Sequence, residues 1–397
     1  MYKWPNDIKQ IVGSVLNSQN PVRCLEEYID NTSAQDITFL LFDGNQTTSF
    51  SNVTHKYSQN KYRIVNLGNY NNTAVINTSI LSIKQNLIPL KTSYVINLDS
   101  NIASLFPKII KDSPIENDFL NFLKYIKSNN LNLSLSPYLL EDSLNSSGMK
   151  NNSRAYECLL GYFVFDRLSL NELISLPSVP NVDDFFYADK AWSQMRFSRF
   201  YERDEEKRVR SIYCFLLKVY TINSKSNKGP KNKISELISF INFDLGVYFE
   251  FGMLLAYWYF SKTHECVIQF FQKIQPKSND KLKNIEGMAW DLFHLWDIPT
   301  EMAILSNENN AIMLHALATH DDSLAKISKL NPITRIAFYS NEAQVKYQFS
   351  LDDVLDDSSM LDSIYNYKSQ RETLCETINL LDLSTQLEQE FIESLEK

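Results

Sequence analysis

Two short segments end an apolar run in a carboxylate: Tyr94-Val-Ile-Asn-Leu-Asp99-Ser-Asn101-Ile and Leu317-Ala-Thr319-His-Asp321-Asp322-Ser-Leu324. Val95, Ile96, Leu98 and Ile102 read as a buried strand that stops at Asp99, and strand ends are where a parallel sheet presents groups to a ligand crevice. Two acids delivered in this way can meet on one divalent cation. Hydrolysis of a phosphodiester with metal ions needs several carboxylates on one cleft, because hard Mg²⁺ or Mn²⁺ prefers oxygen ligands and keeps positions open for water and phosphate. Two further acids stand between the pair in the chain. Glu141 follows Pro137 in Leu133-Ser-Leu-Ser-Pro137-Tyr-Leu-Leu140-Glu141-Asp142, where the proline suits the first turn of a helix and sets Glu141 about one turn inside it. Asp291 is flanked by Trp290, Leu292 and Phe293, which makes it either partly buried or the polar edge of a helix. Each acid also has an ordinary reading. Glu141 and its neighbour Asp142 fit solvated helix carboxylates, and Asp321-Asp322 fits the cap of a helix that begins at Ser323.

Taken in order, the acids resemble the pattern of the PIN-like nuclease superfamily. Its first strand ends in Asp-x-Asn, met here as Asp99-Ser-Asn101, and its later strand ends in Thr-x-Asp, met here as Thr319-His-Asp321. The resemblance implies a metal-dependent nuclease, with RNA expected over DNA. Asp99, Glu141, Asp291 and Asp321 would hold one or two Mg²⁺ or Mn²⁺ ions with Asp322 adjacent, and Asn101 and Thr319 would support them. It further implies a toxin or defence effector controlled by a protein partner or by its own oligomer. The fold it implies is α/β: a PIN-like three-layer core with a central, mostly parallel sheet, assembled from residues 93–150 and 280–350. The long interval between Glu141 and Asp291 departs from compact members and requires a helical insertion at 151–279. Residues 1–92 then form an N-terminal α+β extension, and 351–397 a C-terminal helical segment. The competing expectation is a catalytically inactive PIN-like or helical scaffold that binds another protein. One distance separates the two, since carboxylates of Asp99 and Asp321 more than about 10 Å apart cannot share a two-metal site with its ~4 Å metal spacing.

The elements that must carry these residues are legible in patches. Ile37-Thr-Phe-Leu-Leu-Phe42 followed by Asp43-Gly44 predicts a strand and a tight turn opening a hairpin, with Asp43 a turn residue. Phe119, Leu120, Phe122, Leu123 and Ile126 predict a helix. The chain from roughly 153 to 273 is helical and aromatic in pattern, and Tyr248, Phe249, Phe251, Tyr257, Trp258, Tyr259 and Phe260 read as core at helical spacing. A helix from Lys281 to about Leu295 is expected to end before Pro299, Ala311–Leu317 fits either a helix end or a strand, and Val345–Phe349 reads as a strand. Residues 371–397 predict a charged amphipathic helix suited to docking or to an oligomer contact.

Composition narrows the classes. A chain of 397 residues that is 44% hydrophobic and 13% aromatic can bury a sizeable core, and 9 Gly argue against a glycine-rich all-β architecture. Cys24, Cys158, Cys214, Cys266 and Cys375 are dispersed and odd in number, which predicts reduced, structural thiols. Met1-Tyr-Lys-Trp-Pro has no apolar signal core, and Leu245–Phe260, the most apolar stretch, is short for a membrane span and holds Glu250. The expectation is a cytoplasmic chain without a membrane partner. His55, His264, His294, His315 and His320 lack zinc-ligand spacing, and no phosphate-loop, dinucleotide or nucleophile-elbow motif occurs. His320, beside Asp321, reads as a surface histidine or a substrate contact. The net charge of −8 excludes a protein that coats nucleic acid non-specifically. Positive charge is nonetheless concentrated between Arg203 and Lys233, and Lys207, Arg208, Arg210, Lys225, Lys228, Lys231 and Lys233 are predicted to contact phosphates.

Overall fold

Apolar runs without alternation belong to strands covered on both faces. β5 (Thr92–Leu98) and β7 (Ile312–Thr319) are two such runs, and they lie parallel and adjacent, with Val95 opposite His315 and Leu98 opposite Ala318. The computed structural model describes residues 4–31, 37–43, 57–77, 91–145, 152–194, 205–225, 227–274, 280–309 and 311–395; His55 lies outside them. Every residue of β7 is buried, so the segment that fitted helix or strand is a central strand. β6 (Asn132–Ser134) joins the far side of β5 in parallel, while β3 (Tyr62–Asn66) runs antiparallel to β7 and β2 (Ser58–Gln59) folds back on β3. The strand order is β2-β3-β7-β5-β6. A second sheet, β4-β1-β8-β9, is antiparallel throughout and consists of β1 (Thr38–Leu41), β4 (Ala74–Ile76), β8 (Ile333–Tyr339) and β9 (Glu342–Tyr347). The architecture is thus mixed α/β, with parallel pairing confined to three strands of the first sheet.

Residues 1–92 do not stand apart as an extension. β2 and β3 complete the first sheet, and β1 and β4 complete the second. A four-residue strand such as β1 cannot satisfy its backbone alone. Its side chains alternate: Phe39 and Leu41 pack with Ile8, Val12, Val15 and Tyr28 of α1 (Asn6–Asn17) and α2 (Pro21–Asn31), while Leu40 faces the main core. β1 pairs with β4 and β8, and Gly44 of the expected turn lies outside the described residues. Asp43 instead holds the guanidinium of buried Arg335 at 2.7 Å, and Arg335 also donates to the carbonyls of Leu16 and Ser18.

The helices follow from the same burial. α3 (Ser100–Ala103) leaves the end of β5, and α4 (Asn117–Ser128) sends Phe119 and Phe122 to stack on Tyr62 of β3. α5 (Ser136–Asn145) follows β6, with Pro137 in its first turn as expected. The helical stretch continues through α6 (Asn152–Arg167), α7 (Val182–Gln194), α8 (Glu205–Lys225), α9 (Pro230–Phe240), α10 (Glu250–Ser261) and α11 (Glu265–Phe271). α12 (Lys281–Asn309) does not stop before Pro299 but runs through it. Proline removes one backbone hydrogen bond, and burial of Ile298, Met302 and Ala303 on both sides of the ring holds the helix against β7 and β9. α13 (Asp322–Leu330) follows β7, and three short helices, α14 (Leu351–Val354), α15 (Ser358–Asn366) and α16 (Lys368–Thr377), lead to α17 (Leu380–Leu395). α17 docks on this chain's own α8, where Phe391 meets Tyr220 and the Tyr213 hydroxyl donates to Glu388 at 2.9 Å. Among the described residues no helix is long and apolar enough to cross a membrane. All five cysteines are free thiols.

Candidate active site

Parallel strands place their carboxyl ends on one edge of a sheet, and a crevice opens where successive connections leave in opposite directions. Here β5 connects to β6 on one side while β7 lies on the other. Asp99 ends β5, Asp321 follows β7, and Glu141 lies on α5, the helix that leaves β6. Three of the four expected acids therefore come from the same edge, and Asp291 reaches it from α12.

Uncharged side chains tie the two strand ends together. The Asp99 backbone N–H extends the ladder to Ala318 O at 2.9 Å, and its carbonyl accepts from Ile102 and Ala103, which turns the chain at once into α3. Asp99 Oδ2 accepts from Asn101 Nδ2 at 2.6 Å and from the Thr319 hydroxyl at 2.5 Å. The same Thr319 oxygen accepts from the backbone N–H of Asp321 at 2.9 Å, while Asn101 Oδ1 accepts from the backbone N–H of His320 at 3.0 Å. The Asp99 carboxylate and the Asp321 backbone N–H thus share one hydroxyl, which ties the two strand ends together. Asp321 also caps α13, since its Oδ1 accepts from the N–H of Leu324 at 2.9 Å. The helix-cap reading of Asp321 is therefore met.

Glu141 accepts from the hydroxyl of Ser100, the residue after Asp99. On its other side stands His294, one helical turn beyond Asp291 on α12, with Nε2 at 3.8 Å from Glu141 Oε2. The His294 side chain is only 4% exposed, and its Nε2 has no hydrogen-bond partner. Asp291 and Asp321 are bridged by Lys273, whose Nζ lies 2.9 Å from Asp291 Oδ2 and bonds Asp321 Oδ2. Lys273 and His294 are the two residues that sequence reasoning missed. His294 carries a signal in retrospect, as it shares a helix face with Asp291 at the three-residue spacing; Lys273 carries none, because it sits in a turn after α11.

Charge crowding shows in the acids themselves. Burial pushes Asp99 up from the ordinary carboxylate range, and the Glu141 charge adds to this, against the Thr319 hydrogen bond and His294. Burial likewise raises Asp291, to about 7, with the charges of Asp99 and Asp321 adding and Lys273 opposing. Lys273 loses from burial but gains more from Asp291 and Asp321, so it stays charged.

Other expected residues fall elsewhere. Asp322 turns to Lys326 at 2.7 Å and to Arg63 at 3.7 Å, on the exposed side of α13. The half-buried His320 ring packs edge-on against Tyr62, and burial lowers its pKa to about 4. The basic segment is not one patch. Lys233 is buried, bonded to Asn223 at 2.8 Å, and Arg208 pairs with Asp297 while lying over Trp296. Lys231 donates to the Asp356 carbonyl, and Lys225 and Lys228 are exposed at the far end of α8 from Lys207 and Arg210. Arg210 pairs with Glu206 at 3.2 Å on its own helix.

The residues were tested for a divalent cation by their donors. Among the described residues no group of three or more His, Cys, Asp or Glu side chains could hold a metal ion. The Asp291–Asp321 half does not fit an ion as it stands, since an ammonium already occupies it. No protein-family model, curated protein or solved structure matches the chain.

Proposed function

We propose that the protein is a divalent-cation-dependent nuclease of the cytoplasm that hydrolyses phosphodiester bonds, of RNA in preference to DNA, on a PIN-like arrangement of acids. One observation carries the reading: four acids distant in sequence converge at the carboxyl edge of the parallel strands, with Asp99 and Asp321 locked to one Thr319 hydroxyl. Mg²⁺ or Mn²⁺ at the cluster of Asp99, Glu141, Asp291 and Asp321, with Asp322 adjacent, would supply an activated water and offset charge on the leaving oxygen. Asn101 and Thr319 orient Asp99, while the Lys273 ammonium bridges Asp291 and Asp321 and offsets part of their charge.

Asp99→Asn and Asp321→Asn test this directly. Asparagine keeps the size of each side chain and the helix cap of Asp321, so the far-UV spectrum should match the parent. Cleavage of RNA in Mn²⁺ should fall at least about 100-fold. Parent-level cleavage by both variants would falsify the reading. An effector role adds that expression of the parent, and not of Asp99→Asn, arrests growth of the host cell. The second reading, an inactive scaffold for a protein partner, is favoured by Lys273, which already bridges two of the acids. It stands if the parent neither binds Mn²⁺ nor cuts any polynucleotide.

A further inference from the structure

Helix α17, which the sequence suits to an oligomer contact, is spent on α8 of its own chain, while α7 leaves an apolar face open. The inner side of α7 is firmly seated. Asp184 is buried and accepts from Arg167 of α6 at 3.0 and 3.1 Å, Ala188 is buried, and Tyr187 stacks on Phe163 with ring centres 5.9 Å apart. The outer side carries Val182, Phe185 and Phe186, with Val179 just before the helix, and these four and Tyr187 are 43–84% exposed. At ~150–200 Å² per fully exposed residue, the five present roughly 550 Å² of apolar surface. A homodimer of standard size takes ~800 Å² from each partner, about 65% of it apolar, which is roughly 520 Å². The face is as large as that contact needs. We propose that α7 is the contact between two copies of this chain, packed antiparallel about a two-fold axis beside Phe186.

The charges on this face complement themselves. Asp183 and Lys190 flank Phe186 at three and four residues, which puts all three on one ridge of the helix. Both are exposed, and among the described residues neither makes an ion pair. The acid stands near the start of α7 and the lysine near its end, each about 5 Å along the axis from the midpoint between Phe186 and Tyr187. A two-fold axis at that midpoint reverses the second helix, so that Asp183 of each copy meets the partner's Lys190 and the two Phe186 rings meet at the centre. Parallel packing in register would instead set acid on acid and lysine on lysine. Exposed ion pairs add little affinity but fix orientation, and the apolar face supplies the affinity. Because both copies use the same surface, the contact closes at two chains and does not propagate.

Sedimentation equilibrium of the full-length chain tests the proposal, with far-UV spectra to verify that each surface variant keeps the parent's fold. The parent should dimerise reversibly, and Phe186→Glu should weaken the dimer about 30-fold or more, as loss of a central aromatic anchor does. Asp183→Lys and Lys190→Asp should each weaken it severalfold by setting like charges together. The variant carrying both changes should recover the parent's affinity. It keeps lysine at the helix start, so the recovery cannot come from the fold of a single chain. Mixed together, the two single variants should pair with each other in preference to themselves. A parent that stays monomeric overturns the proposal and leaves the face to a partner of other chemistry. A dimer unaffected by Phe186→Glu, or a double variant as weak as the single ones, overturns it equally.

Discussion

Thr319 carries no charge, yet it decides where two of the acids stand. Its hydroxyl donates to Asp99 and accepts from the N–H of Asp321, so Thr319→Val leaves a buried carboxylate and a backbone N–H each short of a partner. Cleavage should fall about 10- to 100-fold in Thr319→Val, in line with the loss of other groups that orient ligands, and Thr319→Ser should recover most of it. Equal rates for valine and serine would show that the hydroxyl has no such role. Away from the cleft, Glu250 provides a pH-dependent weakness. Burial first, then the charges of Asp352 and Asp353, raise its pKa to about 7 from an ordinary 4.5, with Lys346 opposing. A raised carboxylate is neutral and harmless in the fold below its unfolded value. As pH climbs from about 4.5 to 7 the unfolded chain loses its proton first, so stability falls across that window, by about 3 kcal/mol in all. Glu250→Gln should therefore raise the melting temperature at pH 8 and make little difference near pH 4.5; an equal shift at both would contradict the mechanism. Asp99, Glu141 and Asp321 were legible because a strand or proline beside each fixed its place. His294 and Lys273 act through partners remote in sequence, which no local pattern reveals.

At the scale of elements, apolar runs and turn chemistry located most strands and helices, and the errors have physical causes. Pro299 looked like a stop because its missing N–H is a local fact, while the packing that carries α12 through it is not. The charge run from Lys207 to Lys233 looked like one surface because sequence does not show which side of a helix is covered. Along α8, Lys207 and Lys225 are about 27 Å apart at 1.5 Å per residue, and Arg208, between Lys207 and Arg210, turns to Asp297 of α12. Lys207→Glu with Arg210→Glu should weaken RNA binding and reduce the slope of log affinity against log salt by about 0.7 per lost contact. Lys225→Glu should leave that slope at the parent's value, and a matching drop in both would restore the single-patch picture. Helix packing makes a separate demand at Gly161 on α6, where an added Cβ would lie 2.3 Å from the carbonyl oxygen of Phe106. Backbone cannot yield there as a flexible side chain would, so Gly161→Ala should destabilise the protein by roughly 1–3 kcal/mol in chemical denaturation. A neutral substitution would mean that α6 can slide.

The whole molecule depends on strands that sequence reading had assigned to a separate extension, and removal of residues 1–92 tests that dependence. β3 pairs with β7 from Asn66 opposite Ala316 to Arg63 opposite Thr319, so its loss opens the ladder along the strand that ends at Thr319 and Asp321. β1 pairs with β8 from Thr38 to Leu41, and its loss uncovers that strand on one side. Arg335 would lose the carboxylate of Asp43 and the carbonyls of Leu16 and Ser18 together. The same deletion removes the packing of Ile8, Val12, Val15 and Tyr28 that covers this side of β8, and it leaves β7 and β8 each with an open edge. The fragment 93–397 should be insoluble, or soluble without a cooperative thermal transition, and should bind no Mn²⁺ even though it retains Asp99, Glu141, Asp291 and Asp321. Local patterns marked β1 as a strand but could not show that its partners come from the other end of the chain. Cooperative melting of 93–397 with cleavage retained would mean that the acids are held by the parallel strands and α12 alone, and that the N-terminal strands only cover them.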